Sequence, residues 1–501
     1  MSVFEGRGVF WWHDEAIAEG LLAPDAHVAG LLRIEDNGRA VLELDGYLSN
    51  PHGPMAAMVR EPVTRCIQGL LKGSGERVLL CDLNRNGGQF STNGISYEKF
   101  SAAHCLIGRS TFATAADAPL FAMLTIPLTG FEDWLRLGVI KVEDAPGGIT
   151  MSYRTRDDVC YPDDNGSLTL IFDIEVDTAG MLGAHAYSLK QTAYAKLDFN
   201  AANTLNDLAL QFQMFEDLLK LLTGSDYELD WPFVDLPDGT RYRWYFHRMK
   251  NKEAVEAPSH YNTITVFPEL HDRFGAIWSR WKATRDEFGP GVYLYLGLRR
   301  GLAMYVEHRF VNLIWGLEAF HRKRGGGSAA AALVTKVKRI LDKIDDANDR
   351  RWLENRLEHA HEPSLEQRLF EVFEALPLGL DEKKLRAFCH ACAKLRNDIS
   401  HFGGERHDAS YSEFLKNSNI KSEALSVLYH ALLLHETGID APILKRWIFD
   451  NFLSAPIKIH FVQADLLDKS VLRAKGQPNA QATDGNASQD VVAADDPAPS
   501  N

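Results

Sequence analysis

The stretch DEKKLRAFCHACAKLRNDISHF, Asp381 to Phe402, decides how the C-terminal part of this chain is read. Leu385, Phe388, Cys392, Leu395, Ile399 and Phe402 recur at steps of three, four, three, four and three, which lays one apolar stripe along a helix. At about 100° per residue, His390, Lys394, Asn397 and His401 share a second face, and Arg396 stands beside the stripe. Gly403 and Gly404 close the helix at the histidine, where the free carbonyl ends favour an imidazolium.

Outward from this helix the period stays helical as far back as about Phe288. Leu294 to Arg322 is one long apolar-periodic segment, closed by Gly325-Gly326-Gly327-Ser328, and Ala329 to Ile344 is the next helix. Ser364-Leu365-Glu366-Gln367, after Pro363, carries a capping-box signal for another, and Lys421 to Thr437 is a further one. The N-terminal part alternates instead. Val28 to Ile34 and Ala40 to Leu44 flank Asp36-Asn37-Gly38, a hairpin signal, and Arg77 to Leu83, Leu168 to Val176 and Gln191 to Leu197 repeat the pattern. Strands at such spacing predict a sandwich or a curled sheet. Leucines and phenylalanines from Leu205 to Leu222 return to helical spacing, and Pro237-Asp238-Gly239 marks a turn in the mixed stretch that follows.

The expected fold is therefore α+β and multidomain: an N-terminal β-rich, sandwich-like domain followed by an all-α bundle. The expected boundaries are 1–202 for the β-rich domain, 203–287 for a mixed connecting region of the same module, and 288–470 for the bundle. A tail, 471–501, is expected to be disordered because it has almost no large apolar side chains. A length of 501 residues fits two or three domains. Six cysteines without framework spacing suit a reducing compartment. Neither a signal peptide nor a membrane span is expected, which predicts a cytoplasmic protein. A net charge of −14 argues against a surface that coats nucleic acid, though not against a local basic cleft. Such a cleft would form if the stretch Arg299 to Arg324 packed against Lys383, Lys384, Arg386, Lys394 and Arg396.

The chemistry centres on Arg396-Asn397-Asp398-Ile399-Ser400-His401. It joins a permanent cation for a phosphate, hydrogen-bonding side chains to orient it, and a base that titrates near neutral pH. Those groups suffice to cleave an RNA backbone without a metal. The five-residue step from Arg396 to His401 separates the two by about 140° on a regular helix. Two copies meeting across a two-fold axis would bring them together.

Three segments resemble the HEPN superfamily of helical bundles, and within it the ApeA-like group of bacterial anti-phage proteins. They are Asn312-Leu313-Ile314-Trp315-Gly316-Leu317-Glu318-Ala319-Phe320-His321, Ser364 to Leu369, and Leu395 to His401. Gly8 to Trp12, Gly30-Leu31-Leu32 and Phe131 to Leu135 are similar to the N-terminal domain of the same proteins. The resemblance implies a metal-independent endoribonuclease of abortive infection, cutting cellular RNA such as tRNA and held quiet until a phage is sensed. It implies Arg396 as the phosphate-binding cation, His401 as general base or acid, and Asn397 and Asp398 as orienting groups. Lys394 and Glu318 are supporting candidates. Expected partners are RNA, further copies of the chain (a dimer or higher) and a phage-derived trigger or inhibitor, with no membrane and no cofactor. The alternative is a non-catalytic bundle that binds RNA or a partner beneath a β-domain sensor.

Other motifs read as structure. Cys389-His390-Ala391-Cys392 lacks the second pair that a zinc site needs, and Cys392 lies on the apolar stripe. Glu318 has two readings: it reaches Arg396, or it pairs with Arg322 one turn on. Trp11 and Trp12 are expected as aromatic anchors of a β core, and His359 and His361 as surface residues.

Overall fold

The computed structural model describes residues 2–48, 62–89, 91, 93–94, 96–115, 117–178, 187–249, 255–300, 304–325, 329–357, 362–402 and 410–472. The side chains of 62, 145, 177–178, 187, 329–333 and 401–402 are excepted. Gly403, Gly404, His359, His361 and the tail from 473 onward lie outside the described residues.

Alternating apolar residues build the strands of the N-terminal module. In chain order these are β1 (Ser2–Trp12), β2 (Val28–Glu35), β3 (Ala40–Leu44), β4 (Pro62–Val63), β5 (Ile67–Leu71), β6 (Arg77–Gln89) and β7 (Tyr97–Gly108). After β8 (Phe121–Pro127) and the short helix α1 (Glu132–Leu135) come β9 (Ile140–Ala145) and β10 (Gly148–Tyr153), a hairpin apart from the large sheet. Then follow β11 (Val159–Asp163), β12 (Gly166–Thr178), β13 (Tyr187–Asn203), helix α2 (Leu205–Thr223), β14 (Phe233–Asp235) and β15 (Arg241–Phe246).

The large sheet is antiparallel in the order β11-β12-β13-β8-β14-β15-β7-β3-β2-β1-β5-β6-β4. Because β6 also pairs with β7, the strands β7, β3, β2, β1, β5 and β6 close on themselves as a barrel. The sheet thus curls until one end closes. One edge of β7 is divided between two partners: Glu98 to Ala102 face β3, and His104 to Ile107 face β15. Phe10, Trp12, Leu32, Ile34, Leu42 and Phe100 are buried in the core. Trp11 and Trp12 are 0% and 2% exposed, as expected of anchors.

The Asn37-Gly38 turn joins β2 and β3 with Ile34 opposite Ala40. Gly38 has φ +82°, and a Cβ there would lie 2.0 Å from the Phe246 carbonyl oxygen. Gly239, in the turn from β14 to β15, has φ +85° with nothing within 4 Å of such a Cβ. Gly239→Ala should therefore cost about 1 kcal/mol from backbone strain alone. Gly38→Ala should cost at least about 2 kcal/mol, since backbone must also move. Urea denaturation of the two variants measures the difference, and equal losses would refute the close approach.

Helix α2 starts with a capping box between Thr204 and Asp207 and ends at Gly224, φ +76°. It packs against β8 on one side and against the helical half on the other. The helical half comprises α3 (Phe267–Leu270), α4 (Phe274–Phe288), α5 (Pro290–Arg299), α6 (Val306–Lys323), α7 (Ala329–Leu341) and α8 (Ala347–Leu357). It continues with α9 (Leu365–Glu374), α10 (Glu382–Phe402), α11 (Tyr411–Glu436), α12 (Ala441–Lys445) and α13 (Ser454–Gln463).

Three expectations are corrected here. The segment Leu294 to Arg322 is two helices, because α5 ends where Arg300 turns its guanidinium onto Asp217 of α2, and α6 packs beside α5. Helix α11 begins ten residues earlier than Lys421, at Tyr411, because Ser410 accepts from the Glu413 amide and caps it. The capping box of α9 is half made: Ser364 accepts from the Gln367 amide, while the Gln367 side chain donates to Glu371 instead.

Candidate active site

The polar start of α10 is capped by Asp381, whose carboxylate accepts from the Lys384 amide at 2.9 Å. Leu385, Phe388, Cys392 and Leu395 are at most 5% exposed, and Ile399 packs against the same core. That stripe seats α10 on α6 and α9. Its depth fixes where the polar residues point. Lys394 and Asn397 are exposed, and so is His390, whose Nδ1 lies 2.7 Å from Glu366 Oε2. Asp398 is 6% exposed and so is not a solvated surface charge.

Arg396 emerges at the ridge between α10 and α6 with its side chain 25% exposed. Its Nη2 lies 3.8 Å from Glu318 Oε2, and its Nη1 donates to Asn397 Oδ1 at 3.2 Å. Its Nε is buried with no hydrogen-bond partner. Glu318 also accepts from Arg322 Nη2 at 3.2 Å, so both readings of that carboxylate hold at once. Beyond it, Arg322 lies 3.9 Å from Glu362, which pairs with Arg368. Arg396 thus ends a line of alternating charges along one side of the bundle. Helix α10 runs on through His401 and Phe402, whose side chains lie outside the described residues. On this unbroken helix the two motif positions stay about 140° and about 7.5 Å apart.

The broad basic cleft is largely neutralised. Arg299 pairs with Asp226, Arg300 with Asp217, Arg309 with Glu423, His321 with Glu371 and Arg324 with Glu436. On α10, Lys384 pairs with Asp468 and Arg386 with Glu382. The buried thiols of Cys389 and Cys392 are held protonated by burial, that of Cys389 pushed up to about 12, so both are core groups.

A buried polar joint connects this bundle to α2. His430 of α11 donates from Nε2 to the Leu221 carbonyl at 2.7 Å. Its Nδ1 accepts from Tyr295 at 2.7 Å and from Arg299 at 3.1 Å, and Arg299 also donates to Asp226 and to the Gly224 carbonyl. Burial, reinforced by the Arg299 charge, pulls the pKa of His430 down to about 3. The folded state therefore binds this proton less readily than the unfolded chain. The contribution of the joint is full above about pH 6.5 and lost as pH falls toward 3, with a slope of about 1.4 kcal/mol per unit. Denaturation at pH 7 and pH 5 should show that loss, and His430→Gln should flatten it. An unchanged slope in that variant would exclude His430 as the source.

Residues 7–281 match the family model described as ApeA N-terminal domain 1, and residues 311–442 match that described as Apea-like HEPN. The chain belongs to the ApeA-like HEPN family, which implies a nuclease-type role in anti-phage defence. No curated protein and no solved structure matches it. Among the described residues no helix is long and apolar enough to cross a membrane, and no group of three His, Cys, Asp or Glu side chains could hold a metal ion.

Proposed function

We propose that this protein is a metal-independent endoribonuclease that cuts cellular RNA, with tRNA a candidate substrate, to abort phage infection. Residues 288–470 would be the nuclease unit, and the β module would receive a phage-derived trigger or inhibitor. The observation that carries this reading is the state of Arg396: a guanidinium at the ridge between α10 and α6, its side chain 25% exposed and its two outer nitrogens oriented by Glu318 and Asn397. A phosphate oxygen is the acceptor such a group fits.

In this scheme Arg396 neutralises the scissile phosphate as negative charge grows on it. His401 takes the proton of the 2′-hydroxyl, whose oxygen attacks phosphorus and displaces the 5′-oxygen. That leaving oxygen takes a proton from a second His401, contributed by another copy. The products are a 2′,3′-cyclic phosphate and a 5′-hydroxyl. Asn397 and Asp398 orient these groups, and Lys394 adds an exposed positive charge on the same helix.

The separation of Arg396 and His401 around α10 is the reason for a second copy. Purified protein incubated with total bacterial RNA in EDTA should cut it, and His401→Ala should not. Mixing Arg396→Ala with His401→Ala subunits tests the composite cleft. Activity should depend on which mutant chains pair, and a fully active monomer would exclude it.

A further inference from the structure

One face of α6 carries exposed aromatic side chains together with an imidazole and a guanidinium. Tyr305, His308, Asn312, Trp315, Ala319 and Arg322 recur at steps of three, four, three, four and three, the spacing that aligns side chains along a helix. Eight of the ten tryptophans are at most 6% exposed; the other two are Trp315 at 49% and Trp352, on α8, at 61%, and Tyr305, at the N-cap of α6, is 78% exposed. From His308 to Arg322 the row runs about 21 Å. Trp315 stands one turn before Glu318, the carboxylate that holds Arg396. The row therefore leads to the proposed reaction centre.

We infer that this row is the track for a single-stranded RNA segment, with Trp315 stacking on a base beside the phosphate that Arg396 holds; the inference rests on the nuclease reading above. Bases of an unpaired strand offer π-faces to exposed aromatics, and guanidinium and imidazole groups follow the backbone. Two acids border the row: Glu307 accepts from the Tyr411 hydroxyl at 2.6 Å, and Glu318 is paired with Arg322 and Arg396. The remaining alternative, a second copy packed on this face, would want an apolar centre. Here only Tyr305 and Trp315 are large and apolar, and the rest is small, polar or cationic. A duplex stacks its bases internally and has none to give a tryptophan.

The test uses the full chain and an uncleavable, fluorescein-labelled 2′-O-methyl oligoribonucleotide, read by anisotropy, beside cleavage kinetics on an unmodified strand. Trp315→Ala should weaken binding roughly tenfold or more and raise KM more than it lowers kcat, and Trp315→Phe should recover most of the loss. Unchanged binding and KM in Trp315→Ala, while the wild type cuts in an Arg396-dependent way, overturns the track and leaves the nuclease reading standing. A wild type that neither binds nor cuts brings down both. A change in oligomeric state on Trp315→Ala assigns the face to contact between copies and overturns the proposal.

Discussion

Arg396→Ala is expected to slow RNA cleavage by about 100-fold or more, and to relieve the growth arrest caused by overproducing the protein. The group removed is a planar, partly exposed cation whose outer nitrogens are aligned by Glu318 and Asn397. Charge-assisted, two-pronged contacts of that kind strengthen as negative charge builds on phosphorus. Lysine supplies charge but not the fork, so Arg396→Lys should fail as well. Glu318→Gln should have a smaller effect, since it loosens the guanidinium without deleting it. Single-turnover cleavage of a short RNA reads the rates directly. Folded Arg396→Ala protein with wild-type rate and toxicity would end the catalytic assignment.

Asp217→Ala is expected to cost about 3 to 5 kcal/mol of stability. Asp217 is 1% exposed, among the buried leucines and phenylalanines of α2, and it accepts from both Arg285 and Arg300. Arg285 is itself buried, so deleting the carboxylate strands one cation inside the protein and frees the end of α5. Asp217→Asn should lose most of the same stability, because shape survives but charge does not. Chemical denaturation followed by tryptophan fluorescence gives the number. A loss below about 1 kcal/mol would mean that water already screens the pair.

The hairpin around Asn37-Gly38 and the stripe on α10 were legible because each depends on neighbours in sequence. What escaped was non-local. Barrel closure rests on β1 meeting β5 and on β6 meeting β7, and no alternation pattern names its partner strand. The break between α5 and α6 escaped because the residues that draw Arg299 and Arg300 aside, Asp226 and Asp217, lie far earlier in the chain. Arg396 could be singled out by its motif, but its restraint by Glu318 depends on how α6 and α10 pack. Trp315 was visible as part of a helix, whereas its exposure was not, since an apolar period says nothing about which face another helix covers.

The divided edge of β7 has a consequence for how the chain emerges from the ribosome. Residues 98–102 find β3 among strands already made, but residues 104–107 pair with β15, whose last residue is Phe246. At about 5–20 residues per second, that half-edge waits roughly 7 to 30 s for its partner. An unpaired edge of this kind invites pairing with neighbouring chains. A nascent chain stalled before Phe246 should therefore aggregate, whereas one released after it should not, although both contain the whole barrel.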